Sequence, residues 1–573
     1  MPNYRDDAKK EADEIDKKII EVLSQKKNFR VEAGAGSGKT YSMMKVIEWL
    51  QINKQLEFKR NGKKVACLTF TNAAVDVISS RLQDDSFIAP STIHNFAWNA
   101  IAQFQEKIIQ ILFENDLLPD ACDKDKILHV QYSLGVKYFD EEDKTLYLGH
   151  NDILKLFSNL LDNEKFQKIL ANRYPIILID EYQDSNKEII DKFISYYISK
   201  DSGIQFGFFG DSWQTIYGTN GACGEIVNDH IVVINKTVNF RSIEKIVDVL
   251  NKIRPEMPQK SALNDNDGKI YVVTTDGYER ERRSDGMFKG DLPAPVLKTY
   301  VESVKKKFDE NLTDNEKIEI LMLTHRILAD QQGYPVLFEL LGDGLKDGDD
   351  DLLCYLRDVV FPLIESIIEN DMIGICEILK ISKYPIQKKA DKVKWSSLKT
   401  IFSDIDGKTI FECLSILKEN EVLSFPEKIN FIYNKMKDDS TESYQKGTYA
   451  QLKEVKVLEF KKVVAFISPE TQYSTDHGVK GEEYDSVLFV IGKGWNLYQF
   501  DKWMPRANES LNEKDRKSFE RNRNLFYVCC SRAKKNLILF VTIPLEGTPF
   551  KGHLENLVGP ENIITYEQYL GLN

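Results

Sequence analysis

The sequence contains no C-x-x-C pair; its eight cysteines are scattered, and only Cys529 and Cys530 are neighbours. That spacing argues against a zinc site or a disulfide framework and for reduced, partly buried thiols. There is no uninterrupted apolar run long enough to span a bilayer. The best candidate, 351–381, carries Arg, Asp and Glu throughout. The first sixteen residues are charged and polar, without the apolar core of a signal peptide. Together these absences predict a cytoplasmic protein with no membrane contact. An excess of positive charge is missing as well: 77 Lys and Arg stand against 89 Asp and Glu, a net charge of −12. The balance gives no global sign of nucleic-acid binding, yet does not exclude it, because a strand can be gripped by a local basic and aromatic channel.

What is present is a soluble-type composition, 42% hydrophobic and 11% aromatic, over 573 residues. That length implies roughly three or four domains. Short β-branched apolar runs alternate with helical stretches, which predicts an α/β protein with parallel sheets. Strands are expected at 28–32, 64–69, 175–179, 205–209, 232–235, 318–323, 486–490 and 537–541. Several end in a Gly, Asp or Thr, where ligand sites of such sheets form. Two segments, 95–172 and roughly 341–458, break the alternation and read as helical from apolar residues at three- and four-residue spacing. The second opens with a Gly/Asp-rich stretch, 342–351, that reads as a solvated linker. No sequence repeat of solenoid period is visible.

Ala33-Gly34-Ala35-Gly36-Ser37-Gly38-Lys39-Thr40 lies between an expected strand and an expected helix. Glycines in such a loop let backbone N–H groups approach phosphates, and the helix N-terminus adds a favourable dipole. Lys39 would reach the β- and γ-phosphates and Thr40 would ligate Mg²⁺. Further on, the apolar run Ile176–Ile179 ends in Asp180-Glu181. Two acids at the end of a buried strand suit a Mg²⁺ partner, Asp180, and a base for the attacking water, Glu181. An apolar strand ending in two acids is common by itself; the phosphate loop gives this one its meaning.

The longer pattern is more specific. Asp180-Glu181-Tyr182-Gln183-Asp184 resembles the DExQD box of UvrD/Rep-like superfamily 1 helicases, and Ala33–Thr40 resembles their phosphate loop. Leu68–Ala74, Ser91–Phe96, Gly210–Tyr217, Asn239–Ser242, Thr475–Tyr484 and Leu525–Ala533 resemble further motifs of that family, all in family order. The resemblance implies two RecA-like parallel-sheet domains, each with a helical insertion, and ATP with Mg²⁺ between them. The first RecA-like domain is then expected at 1–94 and 173–245 with its insertion at 95–172. The second is expected at 246–340 and 459–573, with a shortened insertion at 341–458.

It also implies roles. Lys39, Glu181, Gln214, Arg241 and Arg532 would form the hydrolytic centre, with Gln214 sensing the γ-phosphate. Arg241 and Arg532 would reach that phosphate as arginine fingers, since a guanidinium suits charge spread over phosphoryl oxygens. Tyr41 and Phe240 would sandwich the base, or else pack in the core, and Glu483 would meet the ribose. Phe70, Asn72, Thr92, His94 and Tyr217 occupy DNA-facing positions, and His477 would couple nucleotide to DNA. For His94 and His477 a core position is the competing expectation. Trp213 receives no role.

Three departures qualify the resemblance. Residues 15–23 lack the glutamine that recognises adenine in the family. Gly218-Thr219-Asn220-Gly221 stands where the family has W-R-G, so one stacking aromatic and one arginine are missing. The second insertion is short. Two readings therefore stay open. One is a translocase or helicase on single-stranded or tailed DNA, 3′-to-5′ by resemblance, acting in repair, recombination or anti-phage defence. The other is a DNA- or nucleotide-sensing ATPase subunit with little unwinding of its own. Small UvrD-like subunits of that kind accompany OLD-family nucleases in anti-phage systems such as Gabija.

Overall fold

The structure, a computed structural model, describes residues 4–572 apart from 70–71, 83–86, 116, 119–121, 123, 133–136, 142, 216–220, 264–266, 281–291, 311–317, 323–328, 330–332, 342–349, 380–385, 387, 438–450, 468–472, 476–481 and 493–497. Its strands are β1 (Asn28–Ala33), β2 (Val65–Thr69), β3 (Ile88–Thr92), β4 (His129–Tyr132), β5 (Tyr138–Asp140), β6 (Thr145–Leu148), β7 (Ile176–Asp180), β8 (Gln205–Gly210) and β9 (Ile231–Lys236). They continue with β10 (Val238–Asn239), β11 (Lys260–Ser261), β12 (Ile270–Thr274), β13 (Ile318–Met322), β14 (Tyr473–Thr475), β15 (Tyr484–Ile491), β16 (Ala533–Val541) and β17 (Ile563–Thr565).

Two six-stranded sheets form the frame, in the orders β3-β2-β7-β8-β1-β9 and β14-β13-β15-β16-β12-β17. Every neighbouring pair in both is parallel. Counted in chain order within each sheet, both follow 3-2-4-5-1-6, the same topology twice. The α/β class with two RecA-like domains is thus realised, and the repeat that no sequence period reveals is present in the strand order.

The apolar runs explain why these strands are buried on both faces. In β7, Ile177 and Ile179 pack into one core with Ala66, Leu68, Phe206 and Phe208, while Ile176 and Leu178 pack into another with Val65, Cys67 and Phe29. The second sheet repeats the device. Leu537, Leu539 and Val541 of β16 join one core, and Ile538 and Phe540 the opposite one. A third core draws only on residues 329–463 and belongs to the helix-rich part of the second half.

Segment 95–172 differs from its expectation. Besides helices it carries a three-stranded sheet, β4-β6-β5, whose strands of three or four residues are too short to show a period in the sequence. Several expected strands lengthen, β15 and β16 most, and β3, β12, β14 and β17 join the sheets unforeseen. All eight cysteines are free, as their spacing implies. No helix of the described residues is long and apolar enough to cross a membrane.

One buried titratable group in the second half gives a stability test. His553 lies on the helix Pro549–Val558, its ring stacked on Phe550. Its buried Nε2 has no hydrogen-bond partner among the described residues. Burial pushes its pKa down from 6.5 to about 4. The unfolded chain therefore takes up a proton that the folded chain refuses. The neutral ring's contribution is complete above pH 6.5 and is lost as pH falls towards about 4, by no more than about 3 kcal/mol. Urea unfolding between pH 7 and pH 4 is expected to show a shallower loss of stability for His553→Phe than for the unmodified chain; equal slopes would exclude His553 as the source.

Candidate active site

β1 runs into the loop 34–38, and the helix α2 (Lys39–Arg60) begins at Gly38. No side chain caps this helix start and no acid stands in its first turn. Its free N–H groups and dipole are thus left for an anion. Gly36 and Gly38 adopt positive φ, 72° and 76°. At Gly36 glycine is required twice over, because a Cβ there would come within 2.7 Å of both Asn239 and Arg241.

The loop is held from outside. The side chains of Asn239 and Gln259 donate to Ala35 O at 2.9 and 3.1 Å. The Ala35 N–H donates to the Tyr527 hydroxyl at 3.2 Å, and the Phe240 N–H donates to Gly36 O at 2.9 Å.

β7 delivers the two acids. Asp180 is buried and accepts the Glu181 N–H at 3.0 Å. Glu181 sits at φ 47°, a left-handed conformation that costs a non-glycine residue about 1 kcal/mol or more. Its carboxylate lies 3.8 Å from the Lys39 ammonium and accepts from Gln183 Nε2 at 2.6 Å. Thr40 at the head of α2 and Asp180 offer hard oxygen ligands. Among the described residues no group of three or more His, Cys, Asp or Glu gathers that could hold a metal. A hydroxyl, one carboxylate and phosphate oxygens fit the ligand preference of Mg²⁺.

The second sheet supplies the opposite wall. Arg532 follows the helix Glu513–Cys530 and is 1% exposed. Its Nη2 donates to Gln214 Oε1 at 3.0 Å, and its other nitrogens donate to the carbonyls of Val528 and Glu482. Burial, then the neighbouring Arg241, lower its pKa to about 10, so it remains charged at neutral pH. Arg241 pairs with Glu483 at 2.9 Å and donates to Ser531 O at 3.0 Å. Lys534 holds the other oxygen of Glu483 at 2.9 Å. Burial works to raise the Glu483 pKa, but Lys534 and Arg241 outweigh it and the net shift is downward. Lys39, Glu181, Gln214 and Arg532 are thus brought together, with Arg241 and Glu483 as a pair beside them.

A profile described as an AAA domain matches residues 16–220. Three relatives align along most of the chain. The Gabija protein GajB of Bacillus cereus (strain HuB5-5) is 21% identical over 96% of this chain and 98% of its own length. A probable DNA helicase II homolog of Mycoplasma capricolum is 22% identical over 91% and 83%. The ATP-dependent DNA helicase PcrA of Staphylococcus aureus (strain Mu50) is 21% identical over 89% and 80%. Along most of its length the chain is thus similar to UvrD-like DNA helicases.

For a UvrD-like protein the base site stands open. Tyr41 and Phe240 are 57% and 41% exposed, so neither is packed in the core. Beside Tyr41, where the family glutamine is missing, α1 (Tyr4–Ser24) brings Asp13 and Asp16 instead. Both pair with Lys45, at 2.7 and 3.2 Å, and the Lys45 ammonium lies 4.8 Å from the Tyr41 ring centroid. Burial works to lower the Lys45 pKa, but the bonds to Asp13 and Asp16 outweigh it and raise it. Lys236, from β9, completes the network through Asp16 and Ser42.

The DNA-facing positions are less gathered. Phe70, Tyr217 and His477 lie outside the described residues, as does the side chain of Asn72. Thr92 is buried and its hydroxyl caps the helix Ile93–Ile101 by accepting the Asn95 N–H at 3.3 Å. That gives it a structural task of its own. His94 sits on the first turn of that helix, half-buried.

Sequence reasoning missed Glu32, Asn239, Arg254, Gln259 and Tyr527 as parts of this site. Tyr527 and Asn239 lie inside the recognised motifs and were readable there. Glu32 and Arg254 are separated by 222 positions, and no local pattern links them.

The exposed platform offers a test that leaves the fold alone. Phe240→Ala is expected to weaken ATP binding by about 1–3 kcal/mol, the usual worth of stacking a base on an aromatic ring. Titration with a fluorescent ATP analogue would measure it; unchanged affinity would remove Phe240 from the base site.

Proposed function

We propose that the chain is an ATP-driven motor on single-stranded DNA, translocating 3′-to-5′. The observation that carries this reading is the bond from Arg532 of the second half to Gln214 of the first. With it, the second half's Tyr527 holds the phosphate loop. A γ-phosphate bound at Lys39 would lie where residues of both halves converge, so its arrival and loss would bias the seam between closed and open. Glu181 would take a proton from the attacking water, Gln214 would orient at the γ-phosphate, and Arg532 and Arg241 would stabilise the charge that develops there. Mg²⁺ held at Thr40 and Asp180 would neutralise phosphate charge. DNA would be gripped on its backbone and bases without reading sequence, through the positions that include Phe70, Asn72, His94, Tyr217 and His477.

A second reading is a sensing ATPase that regulates a partner nuclease and unwinds little. The near full-length similarity to a Gabija protein GajB favours it, and so do the missing W-R-G segment and adenine glutamine.

Steady-state ATP hydrolysis with and without single-stranded DNA, beside Glu181→Gln, separates the two. Strong stimulation by DNA, with turnover falling about 100-fold or more in the variant, is expected of the motor. Robust hydrolysis indifferent to DNA would overturn it in favour of the sensing subunit.

A further inference from the structure

We propose that Arg254 is a positioning residue for hydrolysis, which holds the γ-phosphate-sensing Gln214 in register only while the two halves are docked. This rests on the ATPase reading above.

The side chains between the base and the arginine form one continuous chain. Gln183 Nε2 donates to Glu181 at 2.6 Å, and the Asp211 N–H donates to Gln183 Oε1 at 3.1 Å. Gln214 Nε2 donates to Asp211 Oδ2 at 2.8 Å, and Arg532 donates to Gln214 Oε1 at 3.0 Å. An amide can face either way. Here the acceptor at Asp211 and the donor at Arg532 select one orientation and present the oxygen to Arg532. Asp211 is therefore the hinge of the chain, and it is fully buried. A buried carboxylate is costly unless it is paired and hydrogen-bonded.

That partner comes from the second half. Arg254 ends the helix Glu244–Ile253, whose apolar face packs in one core with Leu525, Cys529 and Leu537. Its Nη1 donates to Asp211 Oδ1 at 2.6 Å. Its Nη2 donates to Glu32 Oε1 at 3.0 Å, one strand residue before the phosphate loop begins. Glu32 is anchored in turn by the Tyr182 hydroxyl at 2.7 Å and by Ser212, whose N–H and hydroxyl donate at 2.9 and 2.7 Å. Two guanidinium groups lie against the Trp213 ring, Arg254 at 5.1 Å and Arg523 at 3.4 Å from the centroid. Burial opposes the charge on Arg254, and Asp211, Tyr527 and Glu32 together more than offset it. Withdrawal of the second half would take Arg254 away from Asp211 and release the Gln214 amide. Arg254 acts through Asp211.

The test is a double-mutant cycle in kcat on the full chain, with Arg254→Gln, Gln214→Ala and the pair, and with KM for ATP read in parallel. Arg254→Gln is expected to lower kcat by about 100-fold, as misplacement of a catalytic group does, with KM unchanged within about threefold. In the Gln214→Ala background the same substitution is expected to cost nothing further. Arg254→Lys, which keeps the charge, is expected to recover part of kcat, and it carries the same cycle should the glutamine variant fail to fold. An equal loss of kcat in both backgrounds would make Arg254 a general seam contact and overturn the proposal, as would an unchanged kcat. An unmodified chain that hydrolyses no ATP would instead bring down the ATPase reading itself.

Discussion

A parallel sheet covered on both faces leaves its strand ends as the places where polar chemistry can gather, and this chain sets the carboxyl edge of its first sheet against residues at the amino edge of its second. Everything at the site follows from that constraint. The phosphate loop, the Asp180-Glu181 pair and the Asp211–Gln214 turn leave β1, β7 and β8 of the first sheet. Arg532 and Glu483 stand immediately before the first residues of β16 and β15 of the second. The seam is polar and nearly dry. Arg254, Asp211, Glu32, Gln214 and Arg532 are all at most 5% exposed. Charges so enclosed contribute little to net stability, because desolvation offsets most of their attraction. They do make the docked arrangement specific, since a slip of either half would strand a charge without water or partner.

Much of the first half of this picture was legible in the sequence, because its chemistry is local. A loop of glycines ending in Lys-Thr needs only a strand before it and a helix after it. The acids after Ile176–Ile179 need only the end of a strand. The arginines of Asn239–Ser242 and Leu525–Ala533 could be named because they sit inside runs that resemble a family.

What the sequence hid is of two kinds. Elements too short to show a period escaped, among them the three strands within 129–148, and β3, whose last residue, Thr92, also caps the next helix. Contacts between positions far apart escaped altogether. Trp213 received no role from the sequence, and its surroundings give it a place: a flat ring against two guanidinium groups, with Tyr527 edge-on at 5.8 Å. Glu32 carried no signal within its strand, and only Arg254, Ser212 and Tyr182 closing around it give it a role.

The shared 3-2-4-5-1-6 order has one more consequence. In the first sheet the long excursion leaves the outermost strand, β3; in the second it returns into the outermost strand, β14. In each case one end of the extra chain meets the sheet at its margin, with three strands between it and β1 or β12. Both halves thus behave like tools with interchangeable heads on a common handle. Length added where an excursion meets the outermost strand lies away from β1, which leads into the phosphate loop.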